Sequence, residues 1–165
     1  MATIKKPAAT AATAKTDATA MLERDHRDVK KLFKQYEKLA DAEASGDERQ
    51  ALATQICTML TVHATIEEEI FYPAAREAEV DDDLLNEAEV EHASAKDLIA
   101  QIESMSPDDE LYDAKVTVLG EYVEHHVQEE EGQMFPKCRR AKMDLGGLAE
   151  QLAERKSELM AEEPA

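Results

Sequence analysis

The 165-residue chain is short of cysteine, glycine, proline and positive charge. Its 2 cysteines, Cys57 and Cys138, form no CxxC pair and are too few for a disulfide framework, so both read as reduced thiols and bystanders to any site. With only 5 Gly and 5 Pro, a turn-rich all-β fold is disfavoured. The residues that dominate instead, Ala, Glu, Leu, Lys and Gln, lose least on entering a helix. No apolar run approaches the roughly 20 residues that a spanning helix requires, and the N-terminus lacks the apolar stretch of a secretory signal, which makes the cytoplasm the expected address. Basic side chains number 19 against 37 acidic ones, a net charge of −18. A surface that binds phosphates needs clustered cations to release counterions, so neither nucleic acid nor an anionic membrane is an expected partner. A phosphate-cradling glycine loop and a nucleophile triad are missing as well.

What is present is helical periodicity. Residues 1–19 are Ala, Thr and Lys with little to bury, and read as a flexible tail. From about Ala18 a first stripe recurs at spacings of three and four through Leu22, His26, Val29, Phe33, Tyr36 and Ala40. Gly46 is the expected stop. A second helix runs from about Asp47 to Glu79 with Leu52, Ile56, Met59, His63, Glu67, Ile70 and Ala74 on its stripe and a kink or break expected near Pro73. Asp81 to Asp83 offer a cap for a third, whose stripe is Leu85, Ala88, His92, Ala95, Ile99 and Ile102. Ser106 and Pro107 are placed to start a fourth, carrying Leu111, Lys115, Leu119, Val123, His126, Glu130 and Met134, with Val116 sharing the buried side. The expected architecture is all-α, an up-down-up-down four-helix bundle over residues 20–142. Residues 143–165 follow the basic patch Lys137, Arg139, Arg140 and Lys142. They form a C-terminal amphipathic segment with Leu148, Leu152, Leu159 and Met160, either packed across the bundle, which this reading favours, or solvated.

The chemistry lies in the stripes. One histidine on an apolar face is usually a satisfied core residue, but His26, His63, His92 and His126 stand in phase on successive helices. Burying each imidazole without a partner costs on the order of 1 to 3 kcal/mol, and a metal is the simplest partner for all of them. Glu67 follows His63 by four residues and Glu130 follows His126 by four, so each His-x-x-x-Glu projects one nitrogen and one oxygen from a single face. The two segments repeat, His63 to Glu67 leading to Phe71-Tyr72-Pro73 and His126 to Glu130 leading to Met134-Phe135-Pro136. That register selects His126 over its neighbour His125, which becomes a flanking residue. A mixed set of imidazoles and carboxylates without thiolate favours non-haem iron over structural zinc, and carboxylates able to bridge suggest two ions with open positions. Tyr36 is in phase to gate the site or simply to pack in the core.

The ordered series His26, His63-x-x-x-Glu67, Glu91-His92 and His126-x-x-x-Glu130 resembles the hemerythrin-like, or HHE cation-binding, family over about residues 20 to 140. That resemblance implies a four-helix bundle holding two non-haem Fe ions bridged by oxide or hydroxide, with Glu67 and Glu130 as bridging carboxylates and His26, His63, His92 and His126 as terminal ligands. The oxygen-carrying members have a second histidine one turn after the third-helix histidine, where this chain has Lys96, and end in His-x-x-x-x-Asp, where this chain has His-x-x-x-Glu. A more open iron follows. Binding or sensing of O₂, iron or a related oxidant is the leading expectation, with a di-iron enzyme acting on peroxide or nitric oxide and a metal-dependent regulatory module as alternatives.

Overall fold

The computed structural model describes residues 17–162. Its helices are α1 (Ala18–Asp41), α2 (Gly46–Ile66), α3 (Tyr72–Glu77), α4 (Asp82–Ser104), α5 (Tyr112–Glu129), α6 (Phe135–Arg140) and α7 (Leu145–Glu162). The π-helical turns Glu67–Phe71 and Glu130–Met134 join α2 to α3 and α5 to α6, so these pairs act as continuous rods. Among the described residues there is no strand, and no helix is long and apolar enough to cross a membrane. The rods pack around a ring, α1 on α2, α2 on α4, α4 on α5 and α5 back on α1, which is the all-α bundle the periodicity implies. Residues 1–16, most of the expected tail, lie outside the described residues. Asp17 to Thr19, assigned above to that tail, instead start α1: the Asp17 carboxylate accepts the Ala20 N–H at 2.9 Å, and Ala18 and Thr19 are buried.

Helix ends follow local chemistry, with departures. Ser45 and Glu48 form a reciprocal capping box at α2, and the Asp81 carboxylate accepts the Asp83 and Leu84 N–H groups at α4. Gly46 does not end α1. The left-handed residue there is Glu43 (φ 52°), and Gly46 opens α2. Ser106 does not cap a helix either, because its N–H and hydroxyl are used in a turn with Asp108 and Asp109, and α5 begins six residues later. That later start leaves Leu111 58% exposed and puts Tyr112 and Val116 in the core.

Pro73 and Pro136 do not break their rods. A proline lacks an N–H and presses on the carbonyl four residues before it; a wider π turn just upstream relieves both problems. In each, the N–H five residues after the glutamate, from Tyr72 or Phe135, donates to the carbonyl of Glu67 or Glu130. One extra residue per turn rotates all that follows by about 100°. Hence Phe71, Tyr72 and Ala75 are buried where the uninterrupted period points to Ile70 and Ala74, and Phe135 and Cys138 join Met134 in the core.

Two apolar clusters result, one around Leu22, Phe71, Leu85 and Phe135, the other around Val29, Ile56, Ile102 and Leu119. Between them, along every rod, lie the polar residues of the site. Helix α7 lies against α1, α2 and the first π turn, burying Leu148 and Leu152 in the first cluster, while Met160 is exposed. Both Gly146 and Gly147 belong to its first turn, where the Gly147 N–H donates to the Asp144 carboxylate.

Candidate metal centre

Six side chains meet in the polar layer. His26 comes from α1, His63 from α2, His92 from α4 and His126 from α5, while Glu67 and Glu130 are the first residues of the two π turns. The imidazoles form two pairs, His26 with His63 and His92 with His126, at ring-centroid distances of 4.9 and 4.8 Å. The carboxylates span them. Glu67 Oε1 lies 3.1 Å from His63 Nε2 and 3.3 Å from His92 Nε2. Glu130 places Oε1 3.2 Å from His26 Nε2 and Oε2 3.4 Å from His126 Nε2. Two donor groups emerge, His26, His63, Glu67 and Glu130 in one and Glu67, His92 and His126 in the other, with Glu67 common to both.

The donor atoms fit metal ions better than they fit each other. His26 Nε2, His63 Nε2, Glu130 Oε1 and both Glu67 oxygens are buried without a hydrogen-bond partner. Orphaned buried groups are rare and costly, yet here they converge on one layer. Neighbouring donors stand 3.1–3.4 Å apart, close to the roughly 3 Å edge of an octahedron with metal–ligand bonds of about 2.1 Å. Without a metal the layer must hold protons instead. Burial alone would lower the His63 pKa, but the charge of Glu67 and the bonds to Asp25 and Glu67 outweigh it and raise it to about 10. His126 is driven to about 11 in the same way, with Glu130 the main cause opposing burial. Burial would raise Glu130, yet His126 and the surrounding hydrogen bonds hold it well below the usual carboxylate range.

Each imidazole also faces a carboxylate with its other nitrogen. His63 Nδ1 lies 3.0 Å from Asp25, His92 Nδ1 3.3 Å from Glu68, His126 Nδ1 3.4 Å from Glu91 and His26 Nδ1 3.7 Å from Glu131. The two that are hydrogen-bonded, Asp25 to His63 and Glu68 to His92, are placed to orient a ligating ring and raise its basicity. Asp25 is the most buried of the four, and its second oxygen accepts from Lys156 of α7 at 2.6 Å. A chain Lys156–Asp25–His63 therefore ties the C-terminal helix to the site. Arg155 adds a 2.8 Å contact to Glu69 in the first π turn.

Sequence reasoning missed Tyr72. Its hydroxyl donates to Glu130 Oε2 at 2.6 Å and stands 3.2 and 3.3 Å from the Nε2 atoms of His92 and His126. Burial and the nearby Glu130 and Glu67 charges raise its pKa well above 10, so it keeps its proton for Glu130. The repeated Tyr-Pro and Phe-Pro after each His-x-x-x-Glu was the available signal, but the π turn had to be known to point Tyr72 inward. Tyr36 is elsewhere, buried in the second cluster with its hydroxyl on Asp113. His125 is at the surface, its side chain 68% exposed beside Glu129. Lys96 pairs with Glu68, and both cysteines lie outside the donor groups.

A cavity of about 50 Å³ adjoins the four imidazoles, walled by Val29, Met59, Leu60, Ile99 and Val123. A wider groove of about 550 Å³ between α1 and α5 also reaches His26.

The family model described as the hemerythrin HHE cation binding domain matches residues 17–159. The chain belongs to that family. The crystal structure of a hemerythrin HHE cation binding domain-containing protein from Mycobacterium kansasii superposes with a TM-score of 0.72, at 25% identity over 88% of each chain. A protein named DNA nickase from Nostoc sp. is 32% identical over 115 residues, 70% of this chain; the match spans only 31% of that longer relative. Membership assigns metal binding, iron typically, to this HHE domain, and the converged His and Glu side chains agree with it.

Proposed function

We infer that this HHE domain is a non-haem di-iron protein that binds O₂ or a related small oxidant, in the cytoplasm, through His26, His63, Glu67, His92, His126 and Glu130. The observation that supports the reading most is the small cavity against four imidazoles, beside which His26 Nε2, His63 Nε2, Glu130 Oε1 and both Glu67 oxygens are left unpaired. Its volume of about 50 Å³ suits a diatomic molecule, peroxide or a few waters. Glu67 and Glu130, each reaching a histidine of both pairs, would be the carboxylates that hold both ions. Iron, when bound with an oxide or hydroxide bridge, supplies redox chemistry and open positions for the small ligand. The protein contributes the rest: apolar walls that limit water, the Asp25 and Glu68 carboxylates that hold the His63 and His92 rings, and the Tyr72 hydroxyl that fixes Glu130.

A second reading is a di-iron enzyme consuming peroxide or nitric oxide. Tyr72 favours it, because a retained phenolic proton sits beside His92 and His126, where a reduced oxygen ligand would need one. Strand cleavage is not carried over from the DNA nickase, since a net charge of −18 opposes approach to phosphates. The test is metal content and the optical spectrum of protein purified in air, then reduced with dithionite and exposed again to O₂. Two irons per chain with an oxo-to-iron charge-transfer band and a distinct oxygenated species are expected, and His63→Ala or Glu67→Ala should lose most of the iron. Zinc, or no metal after reconstitution with ferrous iron, refutes the reading; turnover of added peroxide selects the enzyme.

A further inference from the structure

The second His-x-x-x-Glu of α5 has a use of its own. His125 and Glu129 are offset by one residue from His126 and Glu130 and point outward, His125 Nε2 lying 3.2 Å from Glu129 Oε1. Glu91 of α4 completes a triangle with them, its ligand atom and theirs all falling within 4.8 Å of one another. Among the described residues neither Glu91 nor Glu129 is paired with a Lys or Arg. The Glu91 and Glu129 carboxylates thus stand together beside one imidazole. Like charges held together at a surface call for a cation. A further observation comes from beneath: His126, itself 9% exposed, aims an Nδ1 without a hydrogen-bond partner at Glu91 across 3.4 Å. A carboxylate has two oxygens, so Glu91 can face His126 with one and the outer triangle with the other.

We propose that Glu91, His125 and Glu129 form a third metal site, an outer station that takes a divalent cation such as ferrous iron and passes it to the inner centre. One imidazole and two carboxylates suit a borderline divalent ion, and three protein ligands leave the rest of the coordination to water, as a transfer site needs. Glu91 makes the outer site and the inner ligand His126 neighbours. The delivery role rests on the di-iron reading above; the cation site itself does not.

The experiment uses the iron-loaded full chain titrated with Mn²⁺ and followed by calorimetry and Mn²⁺ electron paramagnetic resonance. Wild type should take one Mn²⁺ per chain beyond its iron, with affinity reduced at least about tenfold in His125→Ala and in Glu129→Gln. Both residues are partly or largely exposed, and circular dichroism confirms that the variants fold. Equal Mn²⁺ binding in variants and wild type, or none in wild type at millimolar Mn²⁺, overturns the site. In parallel, stopped-flow loading of metal-free protein with limiting Fe²⁺ should be about tenfold slower in His125→Ala, the low end of what a charged entry point contributes to capture. The end point should stay at wild-type iron content. An unchanged rate overturns delivery, whereas failure of the wild-type chain to reach two irons would strike the di-iron reading and not the outer site.

Discussion

Replacing Asp25 by Asn tests whether the outer carboxylates tune the centre. The substitution keeps the shape of a 6%-exposed side chain but removes the charge that lies 3.0 Å from His63 Nδ1 and 2.6 Å from Lys156 Nζ. Burial opposes ionisation of Asp25, yet His63 and Lys156 outweigh it and lower its pKa, so the charge is present at neutral pH. Loss of such a partner typically weakens metal binding 10- to 100-fold, about 1.4–2.8 kcal/mol. The variant should fall in that range. Glu68→Gln is the internal control: Glu68 lies 3.3 Å from His92 Nδ1, its side chain is 32% exposed, and it shares its charge with Lys96. Solvent screening should hold its effect below about fivefold. Anaerobic competition of Fe²⁺ or Co²⁺ against a chromophoric chelator measures both, with circular dichroism confirming the fold. An Asp25→Asn affinity within about twofold of wild type, or a larger loss in Glu68→Gln, would refute the reasoning.

Metal affinity should rise with pH well above the imidazole value of about 6.5. His63 and His126 hold protons in the metal-free site up to about 10 and 11, and a ligating imidazole must lose its proton. From about pH 7 to 9 the affinity should climb by up to about two log units per pH unit; a flat profile in chelator competition counts against protonated imidazoles. The stability of the metal-free protein should run the other way. Both histidines have folded pKa values above their unfolded value, so their contribution is complete below about pH 6.5 and disappears as pH rises through 10 and 11. Urea midpoints across that range measure it. Tyr72→Phe removes the 2.6 Å bond to a buried, charged Glu130. It should cost metal-free protein about 2 kcal/mol and lower Tm by roughly 4–8 °C, and an unchanged Tm would refute that bond.

The His-x-x-x-Glu repeat is legible in the sequence because its geometry is local. Residues four apart on a helix share a face whatever the helix packs against, so His63 with Glu67 and His126 with Glu130 declare their pairing before any fold is known. His26 and His92 are legible because they interrupt apolar stripes, and burial makes a lone imidazole conspicuous. The bundle itself follows from those stripes and the capping signal at Asp81. The start of α5 was not legible, since Ser106-Pro107 is a sound helix start and a sound turn alike, and only the surrounding contacts separate them.

What the tertiary structure alone decided lies across helices or past the π turns. Tyr72 enters the site because one extra residue in the turn rotates it inward, a shift invisible to a fixed period of 3.6. Asp25, Glu68 and Glu91 become partners of His63, His92 and His126 through the relative rotation and height of neighbouring rods, which no spacing within one helix encodes. Helix α7 shows an apolar stripe in the sequence, but the place where it docks, and hence the reach of Lys156 to Asp25, depends on the groove that α1 and α2 leave open. Local periodicity determines which atoms can be ligands; the packing of one helix against another determines what holds those ligands in place.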